Sequence, residues 1–275
     1  MLNSRLKKLV SFLLHGKPRP VYARIVCLKP SKKLEGKKVV VTGGGSGLGY
    51  AMAKRFVEEG AEVLISGRNR ETLSKSASEL GCKYLQLDIQ DTSAYDTFLE
   101  RADGILGGVN CLVNNAGISL HEKNFFDVTE DSFRQQVDTN LIGTFFLTQH
   151  FAKYLLKKQT GGNILVISSE TGITSDIRPY GYTKAALNSM VEGAAYMFAK
   201  HDIRINAIAP GITASQMTGK DPNGDISSKK EMLGRVYLPE EVAEIASFLL
   251  SDASSCLTGQ ILVCNNGKTI NARVK

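Results

Sequence analysis

Nowhere does the 275-residue chain run apolar for the roughly 18 residues that a bilayer span needs, so no transmembrane helix is expected. Cysteine is sparse: Cys27, Cys82, Cys111, Cys256 and Cys264 are odd in number, scattered, and form no CxxC pair. That argues against both a disulfide framework and a structural zinc site, and for a reducing compartment. Such isolated thiols read as small buried apolar residues. The four histidines, His15, His121, His150 and His201, have no paired ligand spacing, so no metal is expected. Internal repeats and low-complexity segments are missing too. What the chain does have is 43% hydrophobic and 22% charged residues, enough to bury a core, which excludes disorder throughout. The length suits one large α/β domain or two small ones.

Acidic residues are absent before Glu35. Residues 1–36 hold nine lysines and arginines against that single acid, a net +8; the whole chain carries +7, so the remaining 239 residues carry −1. The basic character belongs to a tail, and the body is not expected to bind nucleic acid. Within the tail Leu2, Leu6, Leu9, Val10, Leu13 and Leu14 recur at helical spacing with Arg5, Lys7 and Lys8 between them. This predicts a short amphipathic basic helix ending near Gly16, before Pro18 and Pro20. An extended stretch over 21–28 and a polar linker over 30–36 follow. A secretory signal does not fit, because Lys7 and Lys8 interrupt the apolar region and no small-residue cleavage site follows. Three roles stay open for the helix: docking on its own body or a partner subunit, contact with an anionic membrane surface, or service as an organelle presequence. The expected compartment is the cytoplasm, with peripheral membrane association or organelle import as alternatives.

From Lys37 onward the pattern alternates. Apolar runs that read as buried parallel strands lie at 39–41, 63–65, 84–87, 111–113, 164–167, 205–208 and 261–264. Helical stretches lie between them at about 47–59, 70–80, 92–105, 130–157, 180–200 and 239–250. Pro239 followed by Glu240 and Glu241 has the marks of a helix start. The alternation predicts an α/β fold, a doubly wound, Rossmann-like parallel sheet forming a single domain over 37–275 behind a basic extension over 1–36.

The first strand runs into Thr42-Gly43-Gly44-Gly45-Ser46-Gly47-Leu48-Gly49, and a helix follows at once. In a parallel sheet this turn stands at the ligand crevice, and glycines with free helix-start N–H groups suit a pyrophosphate. The spacing is Gly-x-x-x-Gly-x-Gly, and such turns on their own often serve only as tight turns. The second strand ends in Ser66-Gly67-Arg68-Asn69. The acid that would hold the ribose 2′-hydroxyl of NAD is missing there, and the Arg68 guanidinium would suit a 2′-phosphate. NADP is therefore expected, with NAD as the alternative if Arg68 is merely a solvated loop residue.

Tyr180-Gly181-Tyr182-Thr183-Lys184 begins a helical stretch, so Tyr180 and Lys184 share one face. A phenol titrating near ~10 is a poor acid–base group at neutral pH, and a neighbouring ammonium is expected to lower that value. Tyr182 has no such partner, because position 186 is Ala186. The strand over 164–167 ends in Ser168-Ser169, where a hydroxyl could bind a substrate carbonyl, although strand-end serines are commonly turn residues. Asn140 lies inside the long helix; its amide needs partners if buried, and could hold a water connecting to Lys184.

Together with Asp88 after the third strand, Asn114-Asn115-Ala116-Gly117, Pro210-Gly211 and Thr258-Gly259-Gln260, these residues resemble the short-chain dehydrogenase/reductase family in its shorter one-domain branch, over about 37–267. The resemblance implies Tyr180 as general acid/base, Lys184 on the nicotinamide ribose, Ser169 orienting the carbonyl, and Asn140 supporting a proton relay. It implies cofactor contacts from Gly43, Ser46, Gly47, Leu48, Arg68, Asp88, Ile89, Asn115, Ala116 and Gly117. Thr213 and Ser215, after Pro210 and Gly211, would sit near the nicotinamide carboxamide. Two features depart from the family pattern. Ser169 precedes Tyr180 by 11 positions, slightly fewer than usual, which leaves Ser168 as the fallback. The usual Asp-Gly-Gly near the C-terminus reads Asn265-Asn266-Gly267, a change expected to alter a turn more than the chemistry.

The implied enzyme passes a hydride between NADP(H) and a carbonyl or secondary alcohol. The competing reading is a catalytically silent nucleotide-binding scaffold or sensor that engages a partner or a membrane through its tail. A polar segment over 214–236 would form the substrate-facing flap, a small hint of a polar, sugar-like or acidic substrate, with a 3-oxoacyl thioester as the other candidate. The resemblance also implies a homo-oligomer, a dimer or tetramer, built by pairing the long helices near 130–157 and 180–200.

Overall fold

The computed structural model describes residues 20–22 and 30–270. The expected tail helix lies outside the described residues, as does most of the extended stretch over 21–28. Seven strands form the centre: β1 (Lys38–Thr42), β2 (Glu62–Gly67), β3 (Lys83–Gln86), β4 (Cys111–Asn114), β5 (Gly162–Ile167), β6 (Ile203–Pro210) and β7 (Ile261–Cys264). They make one parallel sheet in the order β3-β2-β1-β4-β5-β6-β7. The winding reverses between β1 and β4, which opens a crevice at the carboxyl ends of the strands.

Among the described residues seven α-helices cover the two faces: α1 (Gly47–Glu58), α2 (Arg70–Leu80), α3 (Tyr95–Leu106), α4 (Glu130–Gln136), α5 (Gly143–Lys158), α6 (Pro179–Phe198) and α7 (Pro239–Leu250). On one side α3, α5 and α6 bring Phe98, Leu147, Phe151, Leu187 and Val191 against the sheet. On the other α1, α2 and α7 bring Met52, Phe56, Leu73, Ala246 and Leu249. Val39, Val40 and Val41 are all fully buried, which explains why β1 is a continuous apolar run rather than an alternating one.

The predicted helix over 130–157 is not continuous. A six-residue π-helical turn, Val137–Ile142, joins α4 to α5 and holds the buried Thr139 and Asn140. Such wide turns arise where side-chain bonding competes with the regular ladder, and they recur at functional sites. The stretch over 92–105 likewise starts with a tight 3₁₀ turn, Thr92–Ala94, capped by the Asp91 carboxylate. The polar linker expected over 30–36 is mostly exposed but is anchored to the body. Leu34 is fully buried, and the amides of Ser31 and Lys33 donate to Glu59 Oε2 at 2.9 and 3.4 Å. Of the described cysteines Cys111 is buried and Cys82 and Cys264 are half-buried, but Cys256 is exposed, contrary to the buried reading. Among the described residues no helix is long and apolar enough to cross a membrane, and no cluster of three metal-binding side chains occurs.

Candidate active site

The glycine-rich turn closes only because side chains are missing from it. A Cβ on Gly49 would lie 2.2 Å from the Gly43 carbonyl oxygen, and one on Gly44 would lie 2.7 Å from Ile65. Asn115 fastens the turn to the end of β4: its Nδ2 donates to the carbonyls of Thr42 and Gly43 at 3.0 and 3.2 Å. Thr42 Oγ1 in return accepts from the amides of Asn115 and Ala116, both at 3.0 Å. Ser46 stands at the cap position of α1 in an extended conformation, yet its hydroxyl does not cap, and no acid occupies the first turn. Those unpaired N–H groups and the positive end of the helix suit an anion, so the residues present fit a dinucleotide pyrophosphate at Gly43, Ser46, Gly47 and Leu48.

At the next strand end Ser66 is buried and Arg68 is exposed, with its carbonyl accepting from Gln86 Nε2 at 2.8 Å. Asn69 is occupied as the cap of α2, accepting from the Thr72 amide at 2.9 Å. After β3, Asp88 is exposed and accepts from the Gln90 amide, while Ile89 is buried. Pro210 ends β6. Gly211 has the Tyr237 ring 2.5 Å from where a Cβ would sit, so any side chain there would collide with it. Thr213 is buried and bonds the Gly211 carbonyl at 3.1 Å. Ser215 Cβ lies 3.7 Å from the position a Gly47 Cβ would take, which brings the start of the flap over the glycine-rich turn. A cavity of about 680 Å³ opens beside Gly47 and Ser215, between α1, α7 and the flap.

Two serines compete for the end of β5, and the geometry separates them. Ser168 is buried and turns its hydroxyl onto the Lys184 carbonyl at 3.3 Å. Ser169 instead lies close enough to Tyr180 to favour the ionised phenol, while its oxygen accepts from the amide and hydroxyl of Thr171 at 3.2 and 3.0 Å. Pro179 at the first position of α6 fixes the register that puts Tyr180 and Lys184 one turn apart. Lys184 Nζ lies 5.5 Å from the centre of the Tyr180 ring and donates to the Ile167 carbonyl at 2.7 Å. Tyr182 points outward and is 43% exposed.

The expected lowering of the phenol pKa by Lys184 is not what this arrangement produces. Burial pushes the Tyr180 phenol above its ordinary value, and the neighbouring Ser169 hydroxyl and Arg178 guanidinium offset this only in part. Burial likewise pushes Lys184 down to about 8. The Lys184 nitrogen faces the ring and the Ile167 carbonyl rather than the phenolic oxygen, so desolvation outweighs the charge pair.

The Asn140 side chain closes chiefly on the backbone of Ile118. Its Nδ2 donates to the Ile118 carbonyl at 2.9 Å and to Thr183 Oγ1 at 3.3 Å, and its Oδ1 accepts the Ile118 amide at 2.8 Å. Gly117 lies between them: a Cβ there would be 3.2 Å from Asn140 Oδ1 and 3.7 Å from Lys184 Nζ. The π-helical turn, the end of β4 and α6 thus meet at one bare glycine. Sequence reading does not single out Thr183, Arg178 or Glu170. Arg178 forms a two-point pair with Asp176 just before α6, at 2.9 and 3.0 Å. Glu170, buried next to Ser169, accepts from Asn265 Nδ2 at 3.0 Å, so the unusual asparagine of the last turn reaches the site floor. For Arg178 and Glu170 the only sequence signal was a charge near the start of a turn or helix, which surface loops carry routinely, and Thr183 had none.

A family profile described as enoyl-(acyl carrier protein) reductase matches residues 43–269. A 3α-hydroxysteroid dehydrogenase of Mediterraneibacter gnavus is 35% identical over 240 residues, 83% of this chain and 95% of that protein. An L-rhamnose 1-dehydrogenase (NADP(+)) of Thermoplasma acidophilum is 31% identical and covers 86% of this chain and 98% of its own length. A 3-oxoacyl-[acyl-carrier-protein] reductase of Thermotoga maritima is 35% identical, over 86% of this chain and all of its own. Among solved structures, a short-chain type dehydrogenase/reductase from Mycobacterium marinum superposes with a TM-score of 0.80 at 30% identity, over 87% of this chain and 98% of that one.

Proposed function

The chain belongs to the short-chain dehydrogenase/reductase family and is an oxidoreductase acting on CH–OH groups, and from that premise we propose that it interconverts a polar carbonyl compound and its alcohol with NADP(H). The observation that carries this reading is Lys184 Nζ standing 5.5 Å from the centre of the Tyr180 ring, with Ser169 beside that phenol at the carboxyl end of β5. When bound, the nicotinamide cofactor supplies or accepts the hydride. Tyr180 gives its proton to the carbonyl oxygen in the reducing direction and takes it back in the oxidising one. That a buried phenol keeps its proton suits the reducing direction, because the acid must arrive protonated. Ser169 donates to the same oxygen and holds it where negative charge develops.

Gly43, Ser46, Gly47 and Leu48 would hold the pyrophosphate, and Arg68 the 2′-phosphate. Asp88 and Ile89 would flank the adenine. Asn115, Ala116, Gly117 and Lys184 would line the nicotinamide ribose side, and Pro210, Gly211, Thr213 and Ser215 the carboxamide. Asn140 acts by fixing Ile118 and Gly117 behind that ribose. Phe145, Phe146, Ile142 and Tyr182 are exposed on the faces of α5, the π-helical turn and α6, which supports pairing of these helices in a homo-oligomer.

Following NADPH oxidation over a panel of a 3-ketosteroid, an acetoacetyl thioester and a sugar lactone tests the proposal. Turnover is expected on one of them, and Tyr180→Phe is expected to lower it about 10²–10⁴-fold with NADPH binding retained. Turnover that is the same in Tyr180→Phe and in the unaltered protein overturns it.

A further inference from the structure

The turn after β7 carries a charge cluster that the proposed chemistry leaves unused. Lys268 Nζ lies 2.5 Å from Glu170 Oε1 and 2.7 Å from Glu231 Oε1. Glu170 follows Ser169 on the floor of the site, whereas Glu231 belongs to the flap over 214–236. The Glu231 side chain is fully buried, and its Oε2 has no hydrogen-bond partner among the described residues, so the ammonium of Lys268 is what its carboxylate is held by. The turn is shaped for this: Asn266 and Gly267 take left-handed φ values of 51° and 81° in succession, which swings Lys268 back toward the site. Asn265 Nδ2 supports Glu170, and Asn266 Nδ2 donates to the Tyr237 hydroxyl at the foot of the flap at 3.1 Å. The departure at Asn265-Asn266-Gly267 thus does more than alter a turn.

We infer that Lys268 is a positioning residue that clasps the flap, through Glu231, onto the floor beside Ser169. Its role in the reaction rests on the reading of Ser169 and Tyr180 as the reaction centre. The physical reason is that two desolvated carboxylates brought to one point repel, and each disfavours the charge of the other, unless a cation stands between them. Burial opposes the charge on Lys268, but its two carboxylate partners outweigh that and hold the ammonium above its ordinary value. Remove the cation and the flap is pushed from the floor by the very pair that now fastens it. A substrate entering beneath the flap then loses the wall that Lys268 keeps in place, which raises KM more than it lowers kcat.

The flap contains Lys220, Lys229 and Lys230, so tryptic cleavage there in the full-length, cofactor-free protein reads its opening without any turnover. Lys268→Met is expected to speed cleavage about tenfold, and Lys268→Arg to stay within about twofold of the unaltered protein. Lys268→Met combined with Glu231→Gln is expected to return toward the original rate, because an amide can donate to Glu170 where a carboxylate repels it. Cleavage at the original rate in Lys268→Met overturns the inference. So does a double variant that opens as fast as Lys268→Met, which would make the lysine mere packing. Hydrogen exchange confined to 214–236 guards against counting global unfolding as opening. With a substrate from the panel, Lys268→Met should raise KM about tenfold with kcat nearly kept. A panel without turnover sinks the proposed function but leaves the proteolysis result to decide the clasp.

Discussion

The Ile226 amide donates to the Val21 carbonyl at 3.2 Å, so a piece of the N-terminal extension is bonded to the flap. Asp225 completes the contact by accepting from the amides of Ser227 and Val21 at 2.9 and 3.1 Å, which hold its carboxyl below the ordinary range. Deleting residues 1–16 leaves both ends of this contact in place, and hydride transfer should be intact. Deleting residues 1–29 removes Val21 but keeps Ser31 and Leu34 on the body. Hydrogen exchange over 214–236 should then rise several-fold, since the backbone bond from Ile226 and the bond from the Val21 amide to the Asp225 carboxylate are both lost. Equal exchange in the two truncations would show that the Val21 contact does not restrain the flap.

Cofactor preference should turn on Arg68. With Ser66 buried and Asn69 occupied as a helix cap, the exposed Arg68 guanidinium is the group proposed to meet a 2′-phosphate. A charged hydrogen bond of about 1.5–3 kcal/mol corresponds to a tenfold or greater preference. Arg68→Asp should therefore move the ratio of catalytic efficiencies from NADP toward NAD by at least about that factor. An unchanged ratio removes the argument for NADP.

Acid should loosen the junction of the linker with α1. Burial works against ionisation of Glu59, but the Ser31 amide, Lys33 and Arg55 outweigh it and hold its carboxyl at about 2. Arg55 Nη2 is 2.7 Å and Lys33 Nζ 3.0 Å from Glu59 Oε1. Because the folded value lies below the unfolded one of ~4.3, the stabilisation is complete above that pH and is lost as pH falls toward 2. Thermal melts between pH 5 and about 2 should show this fall, and Glu59→Gln should flatten it while costing about 3 kcal/mol at neutral pH. A parallel pH dependence in Glu59→Gln would assign the acid sensitivity elsewhere.

Gly49→Ala should abolish nucleotide binding without unfolding the sheet. The added methyl would stand 2.2 Å from the Gly43 carbonyl and 2.5 Å from Asn115 Nδ2, so the turn must open where the pyrophosphate is proposed to bind. NADPH fluorescence titration checks this against circular dichroism. Binding retained within about twofold would place the phosphates elsewhere.

Much of the fold was readable because its determinants are local. Most of the strands are apolar runs interrupted by turn residues, and Pro239 marks a helix start in the chain itself. The spacing of Tyr180 and Lys184 is likewise a property of one helix. The π-helical turn was not readable, because what favours it is the bond from Asn140 to Ile118, which is a contact between segments. Sequence order could not choose between Ser168 and Ser169 either, since the two differ only in which way the end of β5 turns them.

By itself the sequence determined the doubly wound sheet, the glycine-rich turn and the tyrosine–lysine pair, since periodicity, backbone sterics and i,i+4 geometry act over a few residues. Only the tertiary structure decided the electrostatics. Whether Lys184 lowers the Tyr180 pKa depends on how deeply both are buried and where the nitrogen points. Whether Glu170, Glu231 and Lys268 matter at all depends on three distant segments converging. Desolvation and long-range charge pairing are set by what packs around a group, and no local pattern of residues records that.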